Sequence, residues 1–212
     1  SSINIYLFEY SFGFFLIRNL KQFSKKIKIT GFQHGVFSDN LMWFDVLNTL
    51  DHKKFYIPNK IFCLNKYTLK DYRLKYKDVE INILKENKNN KKTNFINDIK
   101  IDKNSNKILV LTGLHDVKDL YYYIKNSCNN DNKIYYLKLH PKSKYNFTQE
   151  KKIKKINNFK QFSFADVIVS QNSSLPYDFL SSNRCFSSVD FDYKQNYISS
   201  SLNKNKKINF LK

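Results

Sequence analysis

The chain has 212 residues, of which 42% are hydrophobic and 17% aromatic. It is therefore long enough to bury the core of one domain or of two small ones, and it is not disordered as a whole. The formal charge at pH 7 is +19, but only three of the 37 basic residues, Arg18, Arg73 and Arg184, are arginines. The scarcity of arginine argues against a sequence-specific nucleic-acid-binding protein, because such proteins favour bidentate hydrogen bonds from arginine to bases. The positive charge indicates an anionic partner such as a phosphate or an acidic lipid.

The first part of the chain alternates strand-like and helix-like patterns. Runs rich in β-branched and aromatic residues predict strands, and apolar residues at helical spacing predict helices. The strand-like runs are 3–9, 27–32, 60–65 and 79–84, and the helix-like runs are 10–26 and 66–76. Strands that alternate with helices predict a parallel sheet in an α/β fold.

Residues 85–106 consist mostly of Lys, Asn and Asp, which predicts a polar linker. The alternation then starts again, so we expect two units, 1–84 and 107–212. In the second unit the predicted strands are 107–113, 133–140, 165–171 and 183–191, and the predicted helices are 115–128, a lysine-rich segment near 148–157, and 174–182. The tail from residue 194 is polar, and we expect it to fray.

Cys63, Cys128 and Cys185 are far apart in the sequence, odd in number and without metal-ligand spacing. They favour a reducing cytosol over a disulfide framework or a zinc site. The most apolar stretch, residues 3–17, contains Glu9 and is shorter than the roughly 20 residues needed to span a bilayer. We expect a cytoplasmic protein, and the missing initiator Met favours a fragment of a longer chain.

Three polar stretches follow predicted strands, at the edge where open α/β sheets bind ligands. They are GFQHG (31–35), LKLHP (137–141) and SQNSSLPYD (170–178). Two of the four histidines of the chain, His34 and His140, lie in these stretches. The sequence therefore predicts a site built from strand ends.

The third stretch lies between a strand and a helix. The hydroxyls of Ser173 and Ser174 and the free N–H groups of the first helical turn could bind a phosphate. The alternative is a helix N-cap alone, with Pro176 and Asp178 in the first turn.

The second stretch contributes a histidine held extended by the proline that follows it. His140, before Pro141, could donate a hydrogen bond to a phosphate oxygen or be structural. Lys138 would add a cation or be solvated. Gly113, after the first strand of this unit, would allow a ligand to approach the backbone closely.

The first stretch offers a base. Histidine is the side chain best suited to take a proton from a hydroxyl near neutral pH, so His34 could act as a base, and the alternative is a loop histidine bonded to backbone. Gln33 and Gly35 would form the loop on the acceptor side, and Gly31 and Gly35 would let this loop turn closely past a ligand. Glu9 would be a second acid or base, or the cap of the helix that begins near Ser11.

The order of these motifs carries more information than any one of them: a histidine–glycine pair at 34–35, a histidine–proline pair at 140–141, and a double serine ahead of an acidic residue at 173–178. This order resembles the GT-B glycosyltransferase superfamily. The resemblance is to enzymes of bacterial surface-polysaccharide and teichoic acid assembly, namely CDP-glycerol glycerophosphotransferases and CMP-sialic acid and Kdo transferases. The order of motifs and elements extends over residues 1–190, and the motifs themselves comprise about a dozen positions.

The resemblance implies two Rossmann-like units that face each other across a cleft, the first of them partial. It implies transfer of a sugar or sugar-like group from a CMP- or CDP-activated donor to a glycan or lipid-linked acceptor of the cell surface, such as a capsule. His140, Ser173 and Ser174 would hold the donor, and His34 would act on the acceptor. No metal or other cofactor would be required, because helix N-termini, His140 and lysines would neutralise the phosphates.

The positive charge would hold such an enzyme peripherally at the anionic inner face of a membrane. One alternative is a non-catalytic, basic nucleic-acid-binding module, with lysines and exposed aromatic residues on one continuous face. A second alternative is a UDP-sugar epimerase on the same fold, which would need carboxylates beyond Glu9 at its site.

Overall fold

Two units make up the chain, which has a mixed α/β fold with parallel sheets. The first unit comprises Ser1–Lys88 with Ser199–Leu202, and the second comprises Asn89–Ile198 with Asn203–Lys212. The computed structural model describes residues 1–6, 8–34, 55–84, 94–171, 173–189, 191 and 205–211.

The first unit contains a parallel four-stranded sheet in the order β1-β2-β3-β4. Its strands are β1 (Ser2–Ile5), β2 (Lys28–Phe32), β3 (Lys60–Cys63) and β4 (Glu80–Ile83). Its described helices are α1 (Ser11–Phe23) and α2 (Lys66–Lys75). Asn65 caps α2, because its side-chain oxygen accepts hydrogen bonds from the backbone N–H groups of Tyr67 and Thr68, both at 3.0 Å.

One face of this sheet forms the core of the first unit. Alternate residues of the strands, such as Ile29 and Ile61, are fully buried and belong to one cluster with Phe14, Ile17 and Tyr72 of the helices. The period of two along a strand and the helical spacing in α1 place these side chains on facing surfaces.

Gly31 lies in β2, and its lack of a side chain is required for packing. A Cβ atom there would stand 2.7 Å from Cδ1 of Phe8 and 2.7 Å from Cγ of Pro58. The expectation that Gly31 helps a loop turn past a ligand is therefore wrong, because the space beside it is filled by these two rings. Gly35 lies outside the described residues.

The second unit contains a parallel six-stranded sheet in the order β12-β11-β10-β6-β7-β8, and a parallel pair, β5 and β9. The strands are β5 (Lys100–Ile101), β6 (Lys107–Leu111), β7 (Ile134–Lys138), β8 (Ile153–Lys155), β9 (Ser163–Phe164), β10 (Asp166–Val169), β11 (Phe186–Val189) and β12 (Ile208–Leu211). The described helices are α3 (Asn94–Asn97), α4 (Val117–Ser127) and α5 (Leu175–Ser181).

The strand order of this larger sheet reverses once. From β6 the sheet extends through β7 to β8, and the chain then returns to the other side of β6 and adds β10, β11 and β12. Loops that leave adjacent strands at such a reversal diverge and leave room for a ligand outside the carboxyl ends of the strands. Here the reversal lies between β6 and β10.

Three expectations about the second unit are corrected. Residues 94–106 are part of the unit rather than of a linker, because Ile96 and Ile99 are buried in an otherwise polar segment and Nη1 of Arg184 donates to the Ile99 carbonyl at 2.6 Å. The lysine-rich segment near 148–157 contains strand β8 and no described helix, since Ile153 pairs with β7 and is fully buried. The tail contains β12, which pairs with β11.

Within the described ranges, no helix is both long enough and apolar enough to cross a membrane.

Candidate functional site

The carboxyl ends of β6 and β10 are joined by one buried carboxylate. Asp116, 8% exposed, accepts a hydrogen bond from the backbone N–H of Gly113 at 2.9 Å and another from the hydroxyl of Ser170. Gly113 follows β6 and Ser170 follows β10, so Asp116 fixes both loops at the point where the strand order reverses.

Burial raises the pKa of Asp116, because the carboxylate loses solvation. The hydrogen bonds from Ser170 and Gly113 act in the opposite direction, since they favour the charged form. Protonation of Asp116 would therefore alter the hydrogen bonds that hold Gly113 and Ser170 at this edge of the sheet.

Thr112 joins the ends of β6 and β7 in the same way. Its backbone N–H donates to the Lys138 carbonyl at 3.1 Å, and its hydroxyl oxygen accepts the backbone N–H of His140 at 3.1 Å. Thr112 is 2% exposed. The position of His140 is therefore set by a buried hydroxyl at the end of the neighbouring strand.

The ring of His140 is oriented by its own loop. Its Nδ1 accepts the backbone N–H of Lys142 at 3.1 Å, and its carbonyl accepts the N–H of Ser143 at 2.8 Å. Because Nδ1 acts as an acceptor, the neutral ring carries its proton on Nε2. His140, which is half-buried, thereby has an N–H donor suited to a phosphate oxygen.

The double serine at the start of α5 is divided between two roles. The hydroxyl of Ser173 donates to the Ser170 carbonyl at 3.1 Å and accepts the N–H of Leu175 at 3.3 Å, which forms a serine turn directly ahead of α5. Ser174, the exposed N-cap residue, makes no side-chain capping bond. Of the two serine hydroxyls, that of Ser174 therefore makes no capping bond to α5.

Lys138 and Pro141 differ in their surroundings. Nζ of Lys138 donates to the Asn157 carbonyl at 3.0 Å and lies 5.6 Å from the centroid of the Phe159 ring. These contacts hold the ammonium group of Lys138 beside β7. Pro141 is exposed at the turn after His140.

In the first unit, Glu9 fixes the backbone that carries His34. One carboxylate oxygen accepts the backbone N–H of His34 at 3.0 Å, and the other accepts the hydroxyl of Tyr72. Glu9 is 5% exposed, whereas His34 is exposed to solvent. The Glu9 carboxylate therefore positions the backbone of His34, while the imidazole of His34 remains accessible to solvent.

The charge of Glu9 acts on its buried neighbours. Burial, followed by the Glu9 carboxylate, raises the pKa of the Tyr72 and Tyr76 hydroxyls well above the ordinary value. The same two causes raise the pKa of the Cys63 thiol to about 12. All three groups are therefore held neutral, and Cys63 is a poor nucleophile.

Gln33, expected on the acceptor side, is 5% exposed. Its side-chain oxygen accepts the backbone N–H of Leu64 and the hydroxyl of Thr68, both at 2.9 Å. Gln33 thus connects the loop after β2 to the start of α2.

The structure brings together His140, Ser173, Ser174 and Gly113 at one edge of the second sheet, and Glu9, Gln33 and His34 at one edge of the first. The second edge is organised by three buried residues that the sequence did not single out, Thr112, Asp116 and Ser170. Their signal was local: each is a polar residue that closely follows a buried apolar strand.

Among the described residues, no three His, Cys, Asp or Glu side chains are placed to hold a metal ion. The sequence contains Asp190 and Asp192 directly after β11, and both lie outside the described residues. Carboxylates are the ligands that Mg²⁺ prefers, so this pair is a reason to test metal dependence.

Comparisons with protein-family models, with curated proteins and with solved structures find no match for this chain.

Proposed function

We propose that the chain is a glycosyltransferase, or part of one, that moves a sugar or sugar-like group from a CMP- or CDP-activated donor to a surface glycan or its lipid-linked precursor. The second unit is the donor-binding, Rossmann-like unit, and the first unit is the acceptor side of a GT-B-like enzyme. The motif order that resembles the GT-B superfamily gives the proposal its reaction class.

One observation carries the nucleotide part of the proposal. Counted from β6, the larger sheet has the strand order 3-2-1-4-5-6, which is the order of doubly wound nucleotide-binding sheets. The Asp116 and Thr112 networks lie at the strand ends beside its reversal, where such sheets bind ligands. Nε2 of His140 and the hydroxyl of Ser174 supply donors for phosphate oxygens there.

His34 is the proposed base for the acceptor hydroxyl. Its exposed imidazole could take the proton while the hydroxyl oxygen attacks the donor carbon and the nucleotide leaves with the bonding electron pair. Glu9, rather than acting as a second acid or base, holds the His34 backbone in place. The reaction needs no oxidant or reductant.

Calorimetric titration with CMP, CDP, UDP and GDP tests the donor site. We expect CMP or CDP to bind best, and His140→Ala to weaken that binding about 10-fold or more, as expected for loss of a hydrogen bond to a charged group. His140→Gln, which restores an N–H donor, should recover part of the affinity. Asn130→Ala, in the turn after α4, is the matched control and should bind like wild type.

Failure of all four nucleotides to bind, or equal binding by the His140→Ala and wild-type proteins, would contradict the donor site. Salt-sensitive binding of single-stranded nucleic acid in place of nucleotide would favour the basic binding module instead.

A transfer assay tests the reaction. His34→Ala should lower turnover about 10²- to 10⁴-fold and leave CMP or CDP binding nearly unchanged, because the nucleotide binds the other unit. We expect activity to persist in EDTA. Loss of activity in EDTA with recovery in Mg²⁺ would reject metal independence, and Asp190→Asn and Asp192→Asn would then test whether these residues bind the metal.

A further inference from the structure

Helix α1 exposes phenylalanines on the side that faces away from its buried residues. Gly13, Phe14 and Ile17 are buried against the sheet. On the opposite side, three phenylalanines point into solvent: Phe12 is 70% exposed, Phe15 is 55% exposed and Phe23 is 89% exposed. We call these three residues the phenylalanine stripe.

The three rings lie on one side of the helix. With 3.6 residues per turn, Phe12, Phe15 and Phe23 fall within an arc of about 80° and span roughly 16 Å along the axis, with the exposed Asn19 between Phe15 and Phe23. A surface helix normally turns polar residues to solvent, whereas α1 also turns these three aromatic rings there. Three exposed phenylalanines on one side of a helix therefore indicate a surface that binds an apolar partner, such as a membrane or another protein.

The segment of the chain that carries the stripe has charges of one sign. Residues 10–34 include Arg18, Lys21, Lys25, Lys26 and Lys28, and no Asp or Glu. Lys25, Lys26 and Lys28 follow the end of α1 and are exposed. An apolar helix face beside exposed lysines matches the interfacial region of a membrane that contains anionic lipids.

The same charge argues against a second copy of the chain as the partner. A symmetric contact through the stripe would bring two sets of these basic residues together without an acidic residue from the same segment to compensate them. The helix has 13 residues, which is too short to cross a bilayer, so it would lie in the plane of the interface.

We infer that the phenylalanine stripe inserts into the headgroup region of an anionic membrane, with Lys25, Lys26 and Lys28 on the lipid phosphates. The inference rests on the proposed function only for its cellular setting, a membrane that carries the acceptor. Vesicle binding is measured without nucleotide, so the membrane contact and the donor site fail independently.

Cosedimentation with phosphatidylglycerol vesicles tests the inference, with phosphatidylcholine vesicles for comparison. Wild type should bind the anionic vesicles, and each phenylalanine should contribute about a tenfold factor in partitioning. The triple change Phe12→Ser, Phe15→Ser and Phe23→Ser should thus lower binding at least about 100-fold. The single change Phe23→Ser, at the last helical position, gives a measurable effect if the triple variant is poorly folded.

Matched controls separate the stripe from general hydrophobicity and charge. Tyr122→Ser removes an aromatic ring that is 51% exposed on α4 and should leave vesicle binding unchanged. Lys25→Gln with Lys26→Gln should weaken binding to anionic vesicles and reduce its salt dependence.

Three results would overturn the inference. They are absence of wild-type binding to anionic vesicles, equal binding by wild type and by the folded Phe→Ser variants, and a wild-type dimer that the variants dissociate while neither binds vesicles. The last result would assign the stripe to self-association.

Discussion

At the residue scale, Thr112 shows how a buried hydroxyl can set the geometry of a site without contacting a ligand. Its oxygen accepts the His140 N–H from the end of the neighbouring strand. The donor on His140 Nε2 is therefore positioned through two successive contacts, one to the backbone by Thr112 and one to the ring by Lys142. Such a residue is expected to affect both stability and binding.

We predict that Thr112→Val lowers the free energy of unfolding by about 1–3 kcal/mol, because the His140 N–H loses its acceptor in a largely buried place. Thr112→Ser keeps the hydroxyl and should cost less. Urea unfolding of the three proteins measures the difference. If the valine variant were as stable as wild type, the hydroxyl would not be the stabilising part.

The raised pKa of Asp116 predicts how the stability of the fold depends on pH. Burial raises its pKa in the folded chain above the ordinary value of 3.8, so between these two values the folded chain holds the proton more tightly than the unfolded chain. The stabilisation that this proton provides is full below the unfolded pKa and is lost as pH rises through the folded pKa.

Asp116→Asn removes this titration and keeps a side chain of similar shape. The stability of wild type relative to the Asn variant should therefore fall as pH increases from about 3.5 to 7. Urea unfolding at several pH values checks this direction. A relative stability that rises with pH would mean that the hydrogen bonds from Gly113 and Ser170 outweigh the loss of solvation.

At the scale of elements, local patterns predict most helices and strands. Burial alternates along β3, and buried residues recur at helical spacing in α1, so these elements can be read from their own residues. One of the exceptions in the second unit is β8, where Ile153 and Ile156 are three residues apart and imitate a helical pattern. Pairing with β7 decides the outcome, and pairing is not encoded locally.

The same limit applies to the candidate site. The stretches that contain His34, His140 and Ser173 follow strands, so their place at strand ends could be predicted. The contact between Asp116 and Ser170 could not be predicted, because the two residues are 54 apart in sequence and meet only when β10 pairs with β6. For Ser173 the sequence left a phosphate site and a cap open, and its hydrogen bonds lie within its own loop.

Strand β2 also gives a stability prediction. Gly31→Ala would place a Cβ atom 2.7 Å from ring carbons of Phe8 and Pro58, and Phe8 is fully buried. Since the rings of Phe8 and Pro58 are not flexible ends that can move away, we expect a loss of about 1–3 kcal/mol in the free energy of unfolding. Thr30→Ala, which adds no atom at the adjacent position, is the control and should cost less. Equal stability of Gly31→Ala and wild type would show that the rings rearrange freely.

At the scale of the whole molecule, the two units have sheets of different topology. The four described strands of the first unit follow chain order without a reversal, whereas the larger sheet of the second unit reverses between β6 and β10. A reversal is the feature that creates a ligand crevice in an open parallel sheet. This contrast is the reason for placing the nucleotide in the second unit.

The central claim is therefore a location, and hydrogen–deuterium exchange with and without saturating CMP or CDP tests it most directly. We expect nucleotide to slow exchange in peptides that cover 110–117, 138–143 and 169–175, which follow β6, β7 and β10, and to leave 1–34 and 60–84 unchanged. Protection confined to the first unit, or no protection in either unit at concentrations that saturate binding, would contradict the claim.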